Sequence, residues 1–176
     1  MTEVLLLRHG KSNHHLGLPD IERPLTDRGK RDAQRVGEFL RIEKLVPDQV
    51  ISSPATRALS TAEKCVKAAG LTADHIKEDA RVYEANAADL LEVIESHRQY
   101  SHRLLIVGHN PGMEMLVETL SGKQPFGTRG MTTANLAHLR LVDHNPSVRA
   151  ELVSTTRPRD LPRDFRFEGV SPPVAT

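Results

Sequence analysis

Two histidines follow apolar runs in the sequence, and each lies beside a glycine. His9 comes after Val4-Leu5-Leu6-Leu7-Arg8, and His109 comes after Leu104-Leu105-Ile106-Val107-Gly108. Four unbroken apolar residues predict a strand that is buried on both faces. Open α/β sheets bind ligands at the carboxyl ends of their parallel strands. The two imidazoles, with Arg8 beside the first, therefore predict an anion site in which a histidine could act as a nucleophile.

A third junction has a similar arrangement. Val50-Ile51 predicts a short strand, Ser53-Pro54 predicts a capped helix start, and Arg57 falls in the first turn of that helix. In the same way, Asn110-Pro111 predicts a capped helix directly after His109. Helix N-termini attract phosphate through free N–H groups, and arginine binds phosphoryl oxygens through paired donors. These junctions together predict a site for a phosphoryl group.

The elements that position these residues follow from the spacing of apolar residues. Helices are predicted over residues 27–46, 54–69, 87–97 and 111–121, and a weak strand falls within 76–82. Alternation at Ala137, Leu139 and Leu141 predicts a half-buried strand, which pairs antiparallel with Leu152-Val153. The predicted fold class is α/β: a three-layer α/β/α sandwich whose central sheet is mostly parallel and has an antiparallel edge.

The length of 176 residues fits one domain. We expect its core within residues 1–156, and four prolines after Arg157 predict that residues 157–176 form an extended arm of the same domain. Residues 10–24 form a polar loop that is longer than the usual connection of about 2–6 residues. Such loops often carry function.

Composition excludes several classes of partner. A formal net charge of +1 and 3% aromatic residues argue against nucleic acid and membrane surfaces. No apolar run approaches the roughly 18 residues that cross a bilayer, and the N-terminus does not read as a secretory signal, so we expect a cytoplasmic protein. The single cysteine, Cys65, cannot form an internal disulfide and is expected to be buried.

The nine histidines do not predict a metal site. His14 and His15 are adjacent, and no cysteine or second histidine pair stands at metal-ligand spacing from them. We interpret them as loop residues near the entrance of the site. Five others are expected to be solvated surface residues: His75, His97, His102, His138 and His144.

Three motifs in this order resemble a known family. They are Leu7-Arg8-His9-Gly10, Ser52-Ser53-Pro54-Ala55-Thr56-Arg57-Ala58 and Val107-Gly108-His109-Asn110-Pro111. They are similar to the motifs of the histidine phosphatase superfamily, which has the phosphoglycerate mutase-like fold. The short chain and Arg23-Pro24-Leu25-Thr26-Asp27-Arg28-Gly29 resemble its branch of SixA-type phosphohistidine phosphatases.

The resemblance implies a role for five residues. His9 would be the nucleophile, and Arg8, Arg57 and His109 would hold the phosphoryl oxygens. Glu84 matches the approximate position of the general acid and base, although a surface carboxylate remains the alternative there. No cofactor and no metal are implied.

The implied function is hydrolysis of phosphohistidine in proteins through a covalent phospho-His9 intermediate. One alternative is a phosphatase of small phosphate esters or phosphosugars. A mutase is disfavoured, because no large insertion is present to enclose a second phosphate. An alternative of another class is a phosphate-binding regulatory module without turnover, against which the three intact motifs argue. The expected partner is thus a phosphorylated protein or a small phosphate ester.

Overall fold

A computed structural model describes residues 2–143 and 147–161 of the chain. Its six strands within these residues are β1 (Glu3–Arg8), β2 (Gln49–Ser52), β3 (Ile76–Glu78), β4 (Arg103–Gly108), β5 (Leu136–Asp143) and β6 (Val148–Thr156). Its four α-helices are α1 (Asp27–Ile42), α2 (Thr56–Ala68), α3 (Ala87–His97) and α4 (Gly112–Ser121). The predicted alternation of strands and helices is confirmed.

All six strands form one sheet in the order β3-β2-β4-β1-β5-β6. The first four run parallel to one another, β5 pairs antiparallel with β1, and β6 pairs antiparallel with β5. The mostly parallel sheet with an antiparallel edge is therefore as predicted. Because β1 lies between β4 and β5, a neighbouring strand stands on each side of the point where β1 ends and His9 begins.

The apolar runs of the central strands are fully buried, and alternate residues face opposite layers. Leu6 and Ile106 pack in the cluster that includes residues of α3 and α4, whereas Leu5 and Leu105 pack in the cluster that includes residues of α1 and α2. Each such side chain contributes about 1.5–3 kcal/mol when it is fully buried. The rigid strands that result fix where β1 and β4 end.

Two predicted helix starts are wrong by one or two residues. The helix expected from Ser53-Pro54 begins at Thr56, because the Ser53 N–H still donates to the Val107 carbonyl at 3.0 Å in the sheet. The helix expected from Asn110-Pro111 begins at Gly112. In neither case does a side chain cap the helix. Thr26 does cap α1 as predicted, since its Oγ1 accepts the Gly29 N–H at 3.1 Å.

His138 corrects another expectation. It was predicted to be a solvated surface residue, but it is 5% exposed, and its Nε2 lies 3.4 Å from Glu3 Oε1. Residues 144–146, which include His144, lie outside the described residues, as do residues 162–176 of the predicted arm. Before that, Pro158–Asp160 forms a short 3₁₀ helix. None of the described helices has the length and apolar character to cross a membrane.

Candidate active site

His9 directly follows β1, and its N–H donates to the Gly108 carbonyl at 3.0 Å. The ring is 7% exposed, and burial is the main cause that lowers its pKa to about 3, so it is neutral at neutral pH. Its Nδ1 lies 2.8 Å from the Gly10 carbonyl oxygen, which can only accept a hydrogen bond. Nδ1 therefore carries the proton and Nε2 carries the lone pair, as a nucleophile requires.

His109 follows β4 and lies beside His9, with ring centroids 5.2 Å apart. Its Nε2 is 2.7 Å from Ser53 Oγ, and this hydrogen bond holds the orientation of the ring. Burial, followed by the charge of Arg57, lowers the pKa of His109 to about 4. Nδ1 is buried and has no hydrogen-bond partner among the described residues. A neutral imidazole in this place has one N–H to offer to an oxyanion.

Two guanidinium groups lie within electrostatic reach of both imidazoles. Arg8 Nη1 donates to the Met131 carbonyl at 2.8 Å, and Arg57 is 6% exposed and donates to Asp20. After burial, the positive charge of each lowers the pKa of both imidazoles further. Within the described part of the chain, Nε of Arg8 and Nε of Arg57 are buried without a hydrogen-bond partner. Positive charge and buried unpaired donors both favour binding of an anion.

Glu114, in the first turn of α4, supports Arg8 through a shared neighbour. Its Oε2 accepts the Met131 N–H at 2.8 Å and Asn110 Nδ2 at 3.1 Å. Asn110 Nδ2 also donates, at 2.9 Å, to the Met131 carbonyl that accepts from Arg8. Burial lowers the pKa of Arg8, and the Glu114 carboxylate partly offsets that effect. The Asn110 side chain is thus used in the site and is not a helix cap.

Glu84 lies beside the site in the connection before α3, and it is exposed. Together with His109, Pro111 and Met115 it lines a cavity of about 360 Å³, and His9 is not among the lining residues. Its φ of 56° is in the left-handed region, which is uncommon outside glycine and costs on the order of 1 kcal/mol. Backbone strain of this kind is typical of functional sites.

Glycines allow close backbone contacts on two sides of the site. A Cβ on Gly10 would lie 2.7 Å from the Gly29 carbonyl oxygen, so the loop after β1 presses on the start of α1. A Cβ on Gly112 would lie 2.1 Å from the Ala85 carbonyl oxygen, so the connection that carries Glu84 presses on the start of α4. These contacts fix both loops relative to the helices behind them.

Gly108 makes room for core packing under the site. A Cβ on this glycine would lie 2.8 Å from Val82 Cγ1.

The structure adds residues that the sequence reasoning did not place in the site. Tyr83 stands edge-on to His109, with ring centroids 5.6 Å apart and an interplanar angle of 76°. Its hydroxyl donates to Asp20 Oδ2 at 2.8 Å. Asp20, Ser53 and Glu114 are the other additions. Ser53 stands at a strand end that the sequence associated with the phosphoryl site, and Glu114 stands four residues after Asn110 at a helix start. No local pattern marks Tyr83 or Asp20.

Within the described residues, neither the remaining histidines nor Cys65 forms a second site. Among the residues that the structure describes, no cluster of three or more His, Cys, Asp or Glu could hold a metal ion. His14 Nδ1 lies 2.9 Å from Arg23 Nη1, a cation that disfavours a metal there. Cys65 is buried as predicted, and burial raises the pKa of its thiol to about 12.

Comparison with known proteins identifies relatives. The sequence profile of the histidine phosphatase superfamily (branch 1) matches residues 4–93, which include Arg8, His9, Arg57 and Glu84. An uncharacterized protein of Mycobacterium tuberculosis is 31% identical over 146 residues, which cover 78% of this chain and 89% of that protein.

Solved structures share the fold. A candidate phosphohistidine phosphatase, SixA, from Agrobacterium tumefaciens has a TM-score of 0.76 at 27% identity, covering 89% of this chain and 99% of that chain. Mycobacterial glucosyl-3-phosphoglycerate phosphatase has a TM-score of 0.67 at 17% identity, covering 86% and 97%. The second likeness concerns the fold alone. Both agree with the predicted α/β architecture.

Proposed function

Since the chain belongs to the histidine phosphatase superfamily, branch 1, and is a phosphatase, we propose that it hydrolyses protein phosphohistidine through a covalent phospho-His9 intermediate. The observation that carries the proposal is the neutral His9 ring, whose Nδ1 is held by the Gly10 carbonyl and whose pKa is lowered by burial and further by the charges of Arg57 and Arg8. The SixA structure belongs to the branch that the motifs resemble, and the similarity to it supports phosphohistidine as the substrate class.

In the first step, Nε2 of His9 attacks phosphorus, and the bond from phosphorus to the leaving nitrogen breaks. Arg8, Arg57 and His109 hold the phosphoryl oxygens, on which negative charge spreads in the transition state. The departing imidazole leaves as a neutral ring when its second nitrogen is already protonated, because its pKa is near neutrality. Departure of this imidazole therefore needs little assistance from a general acid.

In the second step, water attacks the phosphorus of phospho-His9, and the bond from phosphorus to Nε2 breaks. The Glu84 carboxylate accepts the proton of that water, and inorganic phosphate leaves. The His9 ring returns to its starting state. Glu84 suits this role because it shares a cavity with His109 and is open to water.

The surroundings of the entrance support a protein substrate. The loop of residues 10–24 exposes Leu16, Leu18 and Ile21 by 53, 44 and 38%, and Met115 beside the cavity is 50% exposed. Several exposed apolar side chains on one loop are typical of a surface that binds another protein. We infer that they contact the protein that carries the phosphohistidine.

Small phosphate esters are the second candidate substrates. The cavity of about 360 Å³ next to His109 is large enough for a small leaving group, and the fold is shared with a phosphatase of a phosphorylated sugar acid. The mechanism would be the same, except that an alkoxide needs a proton as it leaves. Glu84 would have to supply that proton.

The experiment that tests the proposal compares hydrolysis rates on a phosphohistidine-bearing protein and on a panel of small phosphate esters. We expect the higher kcat/KM on the phosphoprotein, and loss of activity on all substrates in His9→Ala, because the nucleophile is gone. A higher kcat/KM on an ester would show that the substrates are small phosphate esters and not phosphohistidine proteins. Activity that survives in His9→Ala would overturn the mechanism.

The same assay tests Glu84. Because only the alkoxide depends on a donated proton, we expect Glu84→Gln to slow release of the leaving group from an ester more than from phosphohistidine, measured in a single turnover before the shared hydrolysis of phospho-His9. Equal losses in this first step would contradict the assignment of Glu84 as the acid.

A further inference from the structure

Asp20 is a carboxylate in a site built for anions. It opens the short 3₁₀ helix Asp20–Glu22 in the loop between β1 and α1. Its Oδ2 accepts the Tyr83 hydroxyl at 2.8 Å and Arg57 Nη2 at 3.0 Å, and its Oδ1 accepts Arg23 Nε at 3.0 Å. Its backbone carbonyl accepts Arg57 Nη1 at 2.7 Å. These contacts join three segments of the chain at one side chain.

Asp20 does not serve as an acid. The Tyr83 hydroxyl, together with the hydrogen bonds from Arg23 and Arg57, lowers the pKa of Asp20 to about 2. The carboxyl is therefore ionised at neutral pH and has no proton to give. A fixed negative charge near a phosphoryl site repels the substrate, so its presence there needs another reason.

The contacts with Arg57 supply that reason. A guanidinium has five N–H donors in a rigid plane. Asp20 takes one donor from each terminal nitrogen, and Nε–H stays without a partner among the described residues. Oxyanions bind a guanidinium through two neighbouring donors. With the outer edge held by Asp20, the lateral edge that includes Nε remains for a phosphoryl group.

We propose that Asp20 is a positioning residue for the phosphatase reaction: it holds the outer edge of Arg57, so that the lateral edge meets the transferring phosphoryl group. Tyr83 completes the arrangement, because its hydroxyl binds the same carboxylate oxygen while its ring stands edge-on to His109. Arg57 and His109 are thereby held in one network. The inference rests on the proposed function of the site.

The same contacts admit an opposite account, in which Asp20 occupies Arg57 in place of phosphate. The two accounts predict opposite effects on anion binding when the Asp20 carboxylate is removed. Removing a competing carboxylate would strengthen anion binding and lower KM. Removing a positioning carboxylate leaves Arg57 free to turn away, which weakens anion binding and lowers kcat, because the lost interaction is strongest in the transition state.

The test uses the full chain with Asp20→Asn and, as a matched control, Glu22→Gln. Glu22 lies in the same 3₁₀ helix, is exposed, and makes no side-chain hydrogen bond or ion pair within the described residues, so both variants remove one negative charge from the same turn. Two quantities are measured: kcat and KM on the preferred substrate, and the affinity for inorganic phosphate by titration calorimetry.

We expect Asp20→Asn to lower kcat about 10- to 100-fold, as small displacements of a positioned group do, and to weaken phosphate binding. Glu22→Gln should stay close to wild type in both. Unchanged kcat, or tighter phosphate binding, in Asp20→Asn would overturn the proposal. Tighter binding would favour the account of a competing carboxylate.

A second variant covers the case in which Asp20→Asn does not fold. Tyr83→Phe keeps the ring against His109 and removes only the donor to Asp20, so we expect a smaller loss of kcat and weaker phosphate binding. Wild-type values for both would contradict the proposal. Phosphate binding does not depend on which substrate is turned over. A wild-type protein that hydrolyses nothing would therefore refute the proposed function, whereas the phosphate affinity of Asp20→Asn would still show whether Asp20 holds Arg57 for an oxyanion.

Discussion

Burial controls the protonation of the two active-site imidazoles. It is the main cause that lowers the pKa of His9 to about 3 and that of His109 to about 4, and the guanidinium charges act in the same direction. A protonated His9 would have no lone pair for attack. The two guanidinium groups that favour anion binding therefore also help burial to keep the nucleophile neutral.

This protonation pattern has a consequence for stability. The pKa of His9 is lower in the folded chain than its value of about 6.5 in an unfolded chain, so the unfolded state binds more protons between these values. The free energy of unfolding therefore falls as pH drops below about 6.5. For His9 alone, the loss at pH 5 is about 2 kcal/mol.

We expect His9→Asn to lose less stability than wild type between pH 7.5 and pH 5, because Asn does not titrate. Urea denaturation at the two pH values measures the difference. His15→Asn is the control, since that ring is exposed and its replacement should leave the pH dependence unchanged. The same pH dependence in His9→Asn and wild type would show that His9 is not held neutral by folding.

The residues that could be predicted from sequence are those that stand directly after apolar runs or in the first turn of a helix. Arg8, His9, Arg57 and His109 share this property, and the structure brings them together. Asp20 could not be predicted, because its partners Arg57 and Tyr83 are 37 and 63 residues away and no local pattern connects them.

At the scale of elements, two helix starts show how tertiary contacts override local signals. Ser53 and Asn110 both have the side chain of a good N-cap. Ser53 Oγ instead contacts His109, and Asn110 Nδ2 binds Met131 and Glu114. The helices begin one or two residues later than the sequence predicted, and the polar groups that could have capped them bind residues of the site.

The loop of residues 10–24 carries the prediction that belongs to this scale. Leu18 is exposed and stands two residues before Asp20 in the chain, so we expect a protein substrate to cover it and a small ester not to reach it. We expect Leu18→Ser to lower kcat/KM on a phosphohistidine protein about fivefold, as loss of one apolar interface contact does, and to leave ester hydrolysis unchanged.

The matched control is Ile42→Ser at the far end of α1, which is also 44% exposed. It should affect neither substrate. Equal losses on the phosphoprotein and the ester in Leu18→Ser would show that the loop acts on the chemistry and not on docking of a protein.

At the scale of the whole molecule, the crossovers of the sheet build the site. The order β3-β2-β4-β1-β5-β6 places the carboxyl ends of β1, β2 and β4 side by side. His9, Ser53 and His109, far apart in sequence, follow these three ends. The hydrophobic pattern predicted the layers and the antiparallel edge, because it reports which faces are buried. It could not give the strand order, because buried strands of similar composition do not specify their neighbours.

The central claim is that His9 becomes phosphorylated during turnover. The most direct test mixes the wild-type chain with a phosphohistidine-bearing protein, stops the reaction in alkali during the first turnover, and locates the phosphoryl group by mass spectrometry. We predict one phosphoryl group on the peptide that contains His9, and none in His9→Ala. A phosphoryl group on another residue, or turnover by wild type with no phosphorylated enzyme at any time, would contradict the account.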